Sequence, residues 1–273
     1  MLGWLRGFRR EREFQPIAPG AWQSATADYL FMRGLPPAQS EHLRLLASDF
    51  LRGKRIEGAA GLEITELVRT QIAAQACILI LELGLDYYAG WSDIIVYPGQ
   101  FVPEREVMDE DGVVHTTNDA LAGEAWLGGP VILSYDDVAQ SSDAELRVAG
   151  YNVVIHEFAH KLDMLNGAPN GYPPLHKGMS TAQWQRDFKA AYEDFCASVD
   201  RAEARAERGD HRALDALAVD PYAAESPAEF FAVISEAFFE TPEAVRDTFP
   251  RVYAQLKAFY RQDPGARSAA GDG

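Results

Sequence analysis

The stretch VVIHEFAHKLD, residues 153–163, constrains this chain more than any other. Val154, Ile155, Phe158 and Leu162 recur at helical spacing, so the segment reads as a helix set into a core. His156 and His160 then fall one turn apart on the same face. Two imidazoles in that relation can grip one ion, and on a buried helix they need partners. A lone histidine there would more simply be a solvated or core-paired side chain. The pattern H-E-x-x-H, however, arises by chance roughly once in a hundred chains this poor in histidine, which favours the metal reading.

Glu157 lies about a quarter turn to the side of the pair, where it reaches a water on the metal more easily than the metal itself. Zinc suits imidazole ligands and keeps one coordination position for water. The expected chemistry is hydrolysis: the ion acidifies the water, the carboxylate takes its proton, and the acid so formed protonates the leaving amine.

Two histidines need a further ligand. The longer form H-E-x-x-H-x-x-G-x-x-H is excluded, because Asp163 stands at the glycine position and Asn166 at the last histidine position. Asp163 shares the histidine face, yet about 4.5 Å of helix rise separates it from His160, so its role is that of an acceptor orienting an imidazole. The plainer reading is a helix-end residue facing solvent. Downstream, DPYAAESPAEFFAVISEAFFE offers Glu225, Glu229, Glu236 and Glu240. The last three share one stripe of a predicted helix, and Ser226-x-x-Glu229 reads as a capping box. A solvated acidic stripe is the simple alternative, but the i,i+4 basic partners common on exposed helices are missing and the other faces are apolar. Spacing alone leaves Glu229 and Glu236 nearly level as ligands.

The rest of the chain bounds these readings. Its 273 residues are 47% hydrophobic and 24% charged, enough for a substantial core in one large domain or two closely joined ones. A net charge of -16 argues against a surface that holds nucleic acid or anionic lipid, and leaves a neutral or basic macromolecular partner open. With Cys77 and Cys196 as the only cysteines, no disulfide framework is expected. The opening MLGWLRGFRRERE has four arginines but no apolar core after them, so it does not read as a secretory signal, and no run reaches the roughly 18 apolar residues of a membrane span. A cytoplasmic, soluble protein is the expectation.

Along the chain, residues 1–14 read as a flexible lead. Helices are predicted over residues 38–51 and 63–83, the second ended by Gly84. A β-rich stretch follows: DIIVYPG, a hairpin about Asp111-Gly112, and GPVILSYDDV. Ser142 with Glu145 forms a capping-box pattern opening a helix over residues 143–165. Further helices are predicted over 181–207, after Ser226-Pro227, and over 251–262, with an unstructured tail at 263–273. Strands followed by helices, without a βαβ rhythm, indicate an α+β fold in a single domain over 15–262, comprising an N-terminal part (15–140) and a helical part with the metal ligands (141–262).

HEFAHKLDMLNG followed by DPYAAESPAEFFAVISEAFF resembles the Mlc titration factor A family of bacterial zinc-dependent peptidases, whose catalytic region is similar to that of anthrax lethal factor. LELGLDYYAGWSDIIVYPGQFV and GPVILSYDDV resemble the same family, so the likeness covers residues 15–262. It implies a zincin-like fold, a small mixed sheet packed on the metal-binding helix, and one zinc ion per chain. In the family a tyrosine and a glutamate seven residues later follow the histidine pair, and the glutamate completes the zinc site. Tyr222 and Glu229 stand at that spacing, which selects Glu229 as ligand and leaves Glu236 to support the site from outside. Tyr222 would stabilise the oxyanion formed when water attacks a peptide carbonyl.

By the same analogy, substrate would lie along an edge strand ahead of the helix, with AWLGGPVILSY and its Gly128 and Gly129 as candidate, a plain core strand being the equal alternative, and the loop NGAPNGYPPLHKGMS would shape the cleft entrance. His176 in that loop reads as structural. The expected function is zinc-dependent peptide hydrolysis, of endopeptidase or aminopeptidase type, with a regulatory role in sugar-uptake control. The alternative is a regulatory protein that sequesters an Mlc-type transcription repressor.

Overall fold

The computed structural model describes residues 15–100, 105–108, 114–117, 123–140 and 151–271. The N-terminal lead, the turn at Asp111-Gly112 and the capping box at Ser142 lie outside the described residues.

Helices α1 (Pro19–Thr26) and α2 (Pro37–Gly53) come first, and α2 buries Leu43, Leu46, Ala47 and Phe50 on one face. Strand β1 (Arg55–Gly58) leads to α3 (Glu66–Leu79), whose N-cap Thr65 accepts the Val68 N–H. The helix predicted over 63–83 is thus shorter at both ends. Ile80 leaves the helical region (φ -104, ψ 11), and the chain turns on to Gly84, whose φ of +90 favours glycine.

Five strands follow: β2 (Asp93–Tyr97), β3 (Arg105–Met108), β4 (Val114–Thr117), β5 (Gly123–Ala125) and β6 (Val131–Ser134). Strands β3 and β4 pair antiparallel with Met108 opposite Val114, as a hairpin about Asp111-Gly112 requires. The main sheet runs β1-β2-β6-β5, parallel between β1, β2 and β6, and antiparallel between β6 and β5. Sequence reading missed β1 and therefore the parallel β1–α3–β2 crossover. Four residues with only Ile56 buried carry no usable period.

The remaining helices are α4 (Tyr135–Gln140), α5 (Val153–Asp163), α6 (Thr181–Ala206), α7 (Pro227–Glu240), α8 (Pro242–Thr248), α9 (Pro250–Tyr260) and α10 (Pro264–Gly271). The fold is α+β, with ten helices and a small mixed sheet among the described residues. Among the described residues no helix is long and apolar enough to cross a membrane.

Two expectations change. A continuous helix over 143–165 does not exist, because Asn152 is extended (φ -156, ψ 94) and its side chain caps α5 by accepting the Ile155 N–H. At the other end, the segment expected to be an unstructured tail continues as α10. Pro264 suits its first position and Asp263 accepts the Ala266 N–H.

The core of the C-terminal half is aromatic. Trp184 stacks on Phe188 at 4.2 Å between ring centres, Phe231 and Phe259 close on the same indole, and Phe230 meets Phe249 edge-on at 5.8 Å. On α7 Glu236 and Glu240 are buried as well, against the start of α5, so the acidic stripe is not a solvated one.

Candidate metal centre

Helices α5 and α7 cross with the histidine face of one against the start of the other. His156 Nε2 lies 3.0 Å from Glu229 Oε2, His160 Nε2 lies 3.2 Å from the same oxygen, and the two Nε2 atoms are 3.1 Å apart. Among the described residues this is the one group of three metal-capable side chains whose ligand atoms converge. Zinc–nitrogen bonds of about 2.0–2.1 Å set tetrahedral ligand edges of about 3.3 Å, so this triangle of two nitrogens and one carboxylate oxygen has the dimensions and chemistry of a zinc site.

Glu229 reaches the site because Ser226 ends the preceding chain as N-cap, accepting the Glu229 N–H at 3.1 Å, and so starts α7 beneath the histidines. The capping residue and the convergent carboxylate are therefore the two ends of one S-x-x-E pattern.

Glu236, two turns further along α7, accepts from His156 Nδ1 at 2.6 Å and from the Asn152 N–H at 2.6 Å. Glu240 accepts from the Asn152 side chain at 2.8 Å. The buried acids thus serve the N-terminus of α5, where unsatisfied N–H groups and the helix dipole favour negative charge. Burial by itself would lower the His156 pKa, but Glu236 and Glu229 outweigh it and hold the imidazole well above the ordinary histidine value. Burial likewise opposes ionisation of Glu229, and the two imidazoles reverse the balance, so its carboxyl sits well below the usual range.

Glu157 projects from the adjacent face of α5 and is buried beside the triangle, against strand β5. Burial pushes its carboxyl up to about 7, against the pull of His156 and His160. Tyr222, on a short turn opened by Asp220, is half exposed, and its ring centre lies 6.1 Å from that of His156. A cavity of about 210 Å³ is lined by the three convergent residues, Glu157, Tyr222 and the β5 residues Gly123, Glu124 and Ala125.

Asp163 does something other than expected. Its Oδ2 accepts the N–H groups of Asn170 and Gly171 at 2.6 and 2.7 Å, so that oxygen is committed to the loop after α5, and among the described residues no hydrogen bond joins the carboxylate to either imidazole. His176 bonds Tyr87 and the Phe259 carbonyl through its two nitrogens, a structural role as expected.

The edge strand beside the site is β5, not the VILS segment of AWLGGPVILSY, which forms the inner strand β6 with every residue buried. Gly128 and Gly129 lie in the turn between the two. The glycine that matters is Gly123, missed in the sequence: a Cβ there would stand 2.5 Å from Glu157 Oε1. Nothing local marks it, since the contact joins residues 34 positions apart.

The profile of the glucose-regulated metallo-peptidase M90 family matches residues 5–261. The chain belongs to that family. Its relatives include proteins named Mlc titration factor A. That of Cronobacter sakazakii is 38% identical over 91% of this chain and 88% of its own length. That of Salmonella arizonae is 36% identical over 94% and 97%. That of Klebsiella pneumoniae is 37% identical over 89% and 86%.

Proposed function

We propose that this M90 chain is a zincin-like peptidase that hydrolyses peptide bonds with one zinc ion held by His156, His160 and Glu229. The observation that carries the reading is the convergence of those three ligand atoms to within 3.2 Å of one another, with a buried carboxylate on the next face of the same helix. Zinc there would supply a Lewis acid that acidifies water and polarises a carbonyl.

The chain's own groups supply the rest. Glu157 takes the proton of the attacking water and returns it to the leaving amine, a task suited to a carboxyl raised toward neutrality. Tyr222, at the cavity wall, donates its hydroxyl hydrogen to the oxyanion as the carbonyl becomes tetrahedral. Glu236 keeps the His156 proton on Nδ1 and so presents Nε2 as a ligand. Asp163 acts from further out, tying the loop at Asn170 and Gly171 to the end of the helix that carries His160. Substrate peptide adds to the sheet along β5.

Chelator-free protein should contain one zinc per chain and cleave members of a quenched-fluorescence peptide library. Glu157→Gln should keep the zinc and lose at least about a hundredfold in kcat. Zinc-free protein that stays empty when zinc is supplied, or a Glu157→Gln variant as fast as wild type, overturns the assignment.

The relatives' name supports a second reading, in which the protein captures an Mlc-type transcription repressor in the cytoplasm and thereby bears on sugar-uptake control. Repressor retained by the wild type and by Glu157→Gln alike would place capture on a surface independent of hydrolysis. No retention by either removes this reading.

A further inference from the structure

Helix α5 presents two pairs of neighbours, His156 with Glu157 and His160 with Lys161. The histidines face Glu229; Glu157 and Lys161, also one turn apart, face the β5–β6 hairpin. Lys161 is only 4% exposed, and among the described residues it makes no ion pair. Its ammonium instead donates to the carbonyls of Trp126 at 2.7 Å and Gly129 at 3.0 Å, the two ends of the hairpin turn, and lies 4.6 Å from the Trp91 ring centre. A buried charge without a carboxylate is costly, and the two carbonyls and the ring offset that cost only if the turn stays where it is.

At the other end of the strand, Gly123 lies against Glu157 with no room for a methyl group. The three-residue strand β5 is therefore bonded at its turn end, and closely packed at its other end, to the helix that carries the histidines. We infer that Lys161 is a positioning residue that fixes the substrate-binding edge strand β5 at a set height over the metal centre. The claim rests on the proposed peptide hydrolysis only for its kinetic consequence, and the strand's anchorage can be read without it.

The test uses Lys161→Met, with Lys54→Met as control: Lys54 is also desolvated, with its ammonium 3.5 Å from the Trp91 ring centre, but it bonds the Tyr88 and Trp91 carbonyls and not the hairpin. In Lys161→Met, amides of residues 123–126 should exchange with deuterium about tenfold faster, those of 153–163 should not change, and one zinc per chain should remain. On a peptide that the wild type cleaves, KM should rise about tenfold with kcat within about threefold, since strand displacement weakens a bound peptide before it alters Glu157. Lys54→Met should leave KM and β5 exchange at wild-type values.

Unchanged exchange in β5, zinc lost together with activity, or an equal KM rise in Lys54→Met overturns the inference. If Lys161→Met does not fold, Lys161→Gln, which keeps an uncharged N–H donor group, should move exchange in the same direction by less, and no movement overturns it. A wild type that binds zinc yet cleaves nothing removes the proposed function, while the exchange measurement still decides the anchorage.

Discussion

Gly123 and Glu157 touch so closely that a methyl group on the strand residue would lie 2.5 Å from the carboxylate oxygen and 2.6 Å from its Cγ. Strand and helix are both packed on other elements, so the carboxylate is the part able to move. Gly123→Ala should push Glu157 off its position and lower kcat about tenfold or more, with one zinc per chain retained. Kinetics alongside elemental analysis check this; full activity in Gly123→Ala would mean that the strand gives way instead.

Glu236 grips His156 Nδ1 at 2.6 Å. Replacing such a buried acceptor with a weaker one loosens the imidazole and lowers its basicity. Glu236→Gln should weaken zinc binding about 10- to 100-fold, measured by competition with a chromophoric chelator. Wild-type affinity in the variant would show that the bond does not govern the ligand.

Metal binding should depend on pH with a definite sign. His156 is held above its ordinary pKa by Glu236 and Glu229, so it must release a proton before Nε2 can bind zinc. Zinc affinity should therefore fall as pH falls, with proton release visible as a dependence of binding enthalpy on the buffer's ionisation heat. The zinc-free fold runs the other way. A raised folded-state pKa contributes stability that is fully present below the unfolded histidine value and is lost as pH rises through the folded value. Zinc-free protein that grows more stable with rising pH across that range would contradict the assignment.

Tyr222 is half exposed and stands at the cavity wall, where the proposed mechanism has its hydroxyl serve the transition state more than the ground state. Tyr222→Phe should lower kcat about 100-fold or more while KM changes little. Because the side chain contributes little to the core, the melting temperature should stay within about 2 °C of wild type. A rise in KM at constant kcat would make Tyr222 a binding residue only.

What the chain's local pattern determines here follows from geometry within one helix. The i,i+4 spacing of His156 and His160, the apolar flanks that bury them, the Ser226 cap and the long aromatic period of α6 need no distant partner to be read. The preference for Glu229 over Glu236 was not of that kind. Both lie on one stripe of α7, about 10 Å apart along its axis, and only the family pattern separated them beforehand. Docking α7 against α5 places the two acids differently: the first turn meets the two Nε2 atoms, and the carboxylate two turns on meets His156 Nδ1 and the Asn152 N–H. Tertiary structure alone likewise turned Asp163 toward the loop, made β5 the edge strand, packed Gly123 against Glu157 and bonded Lys161 to the hairpin turn. Each of these depends on which surfaces meet across 30 or more intervening residues or on where a loop returns, and helical and strand periods carry no information about that.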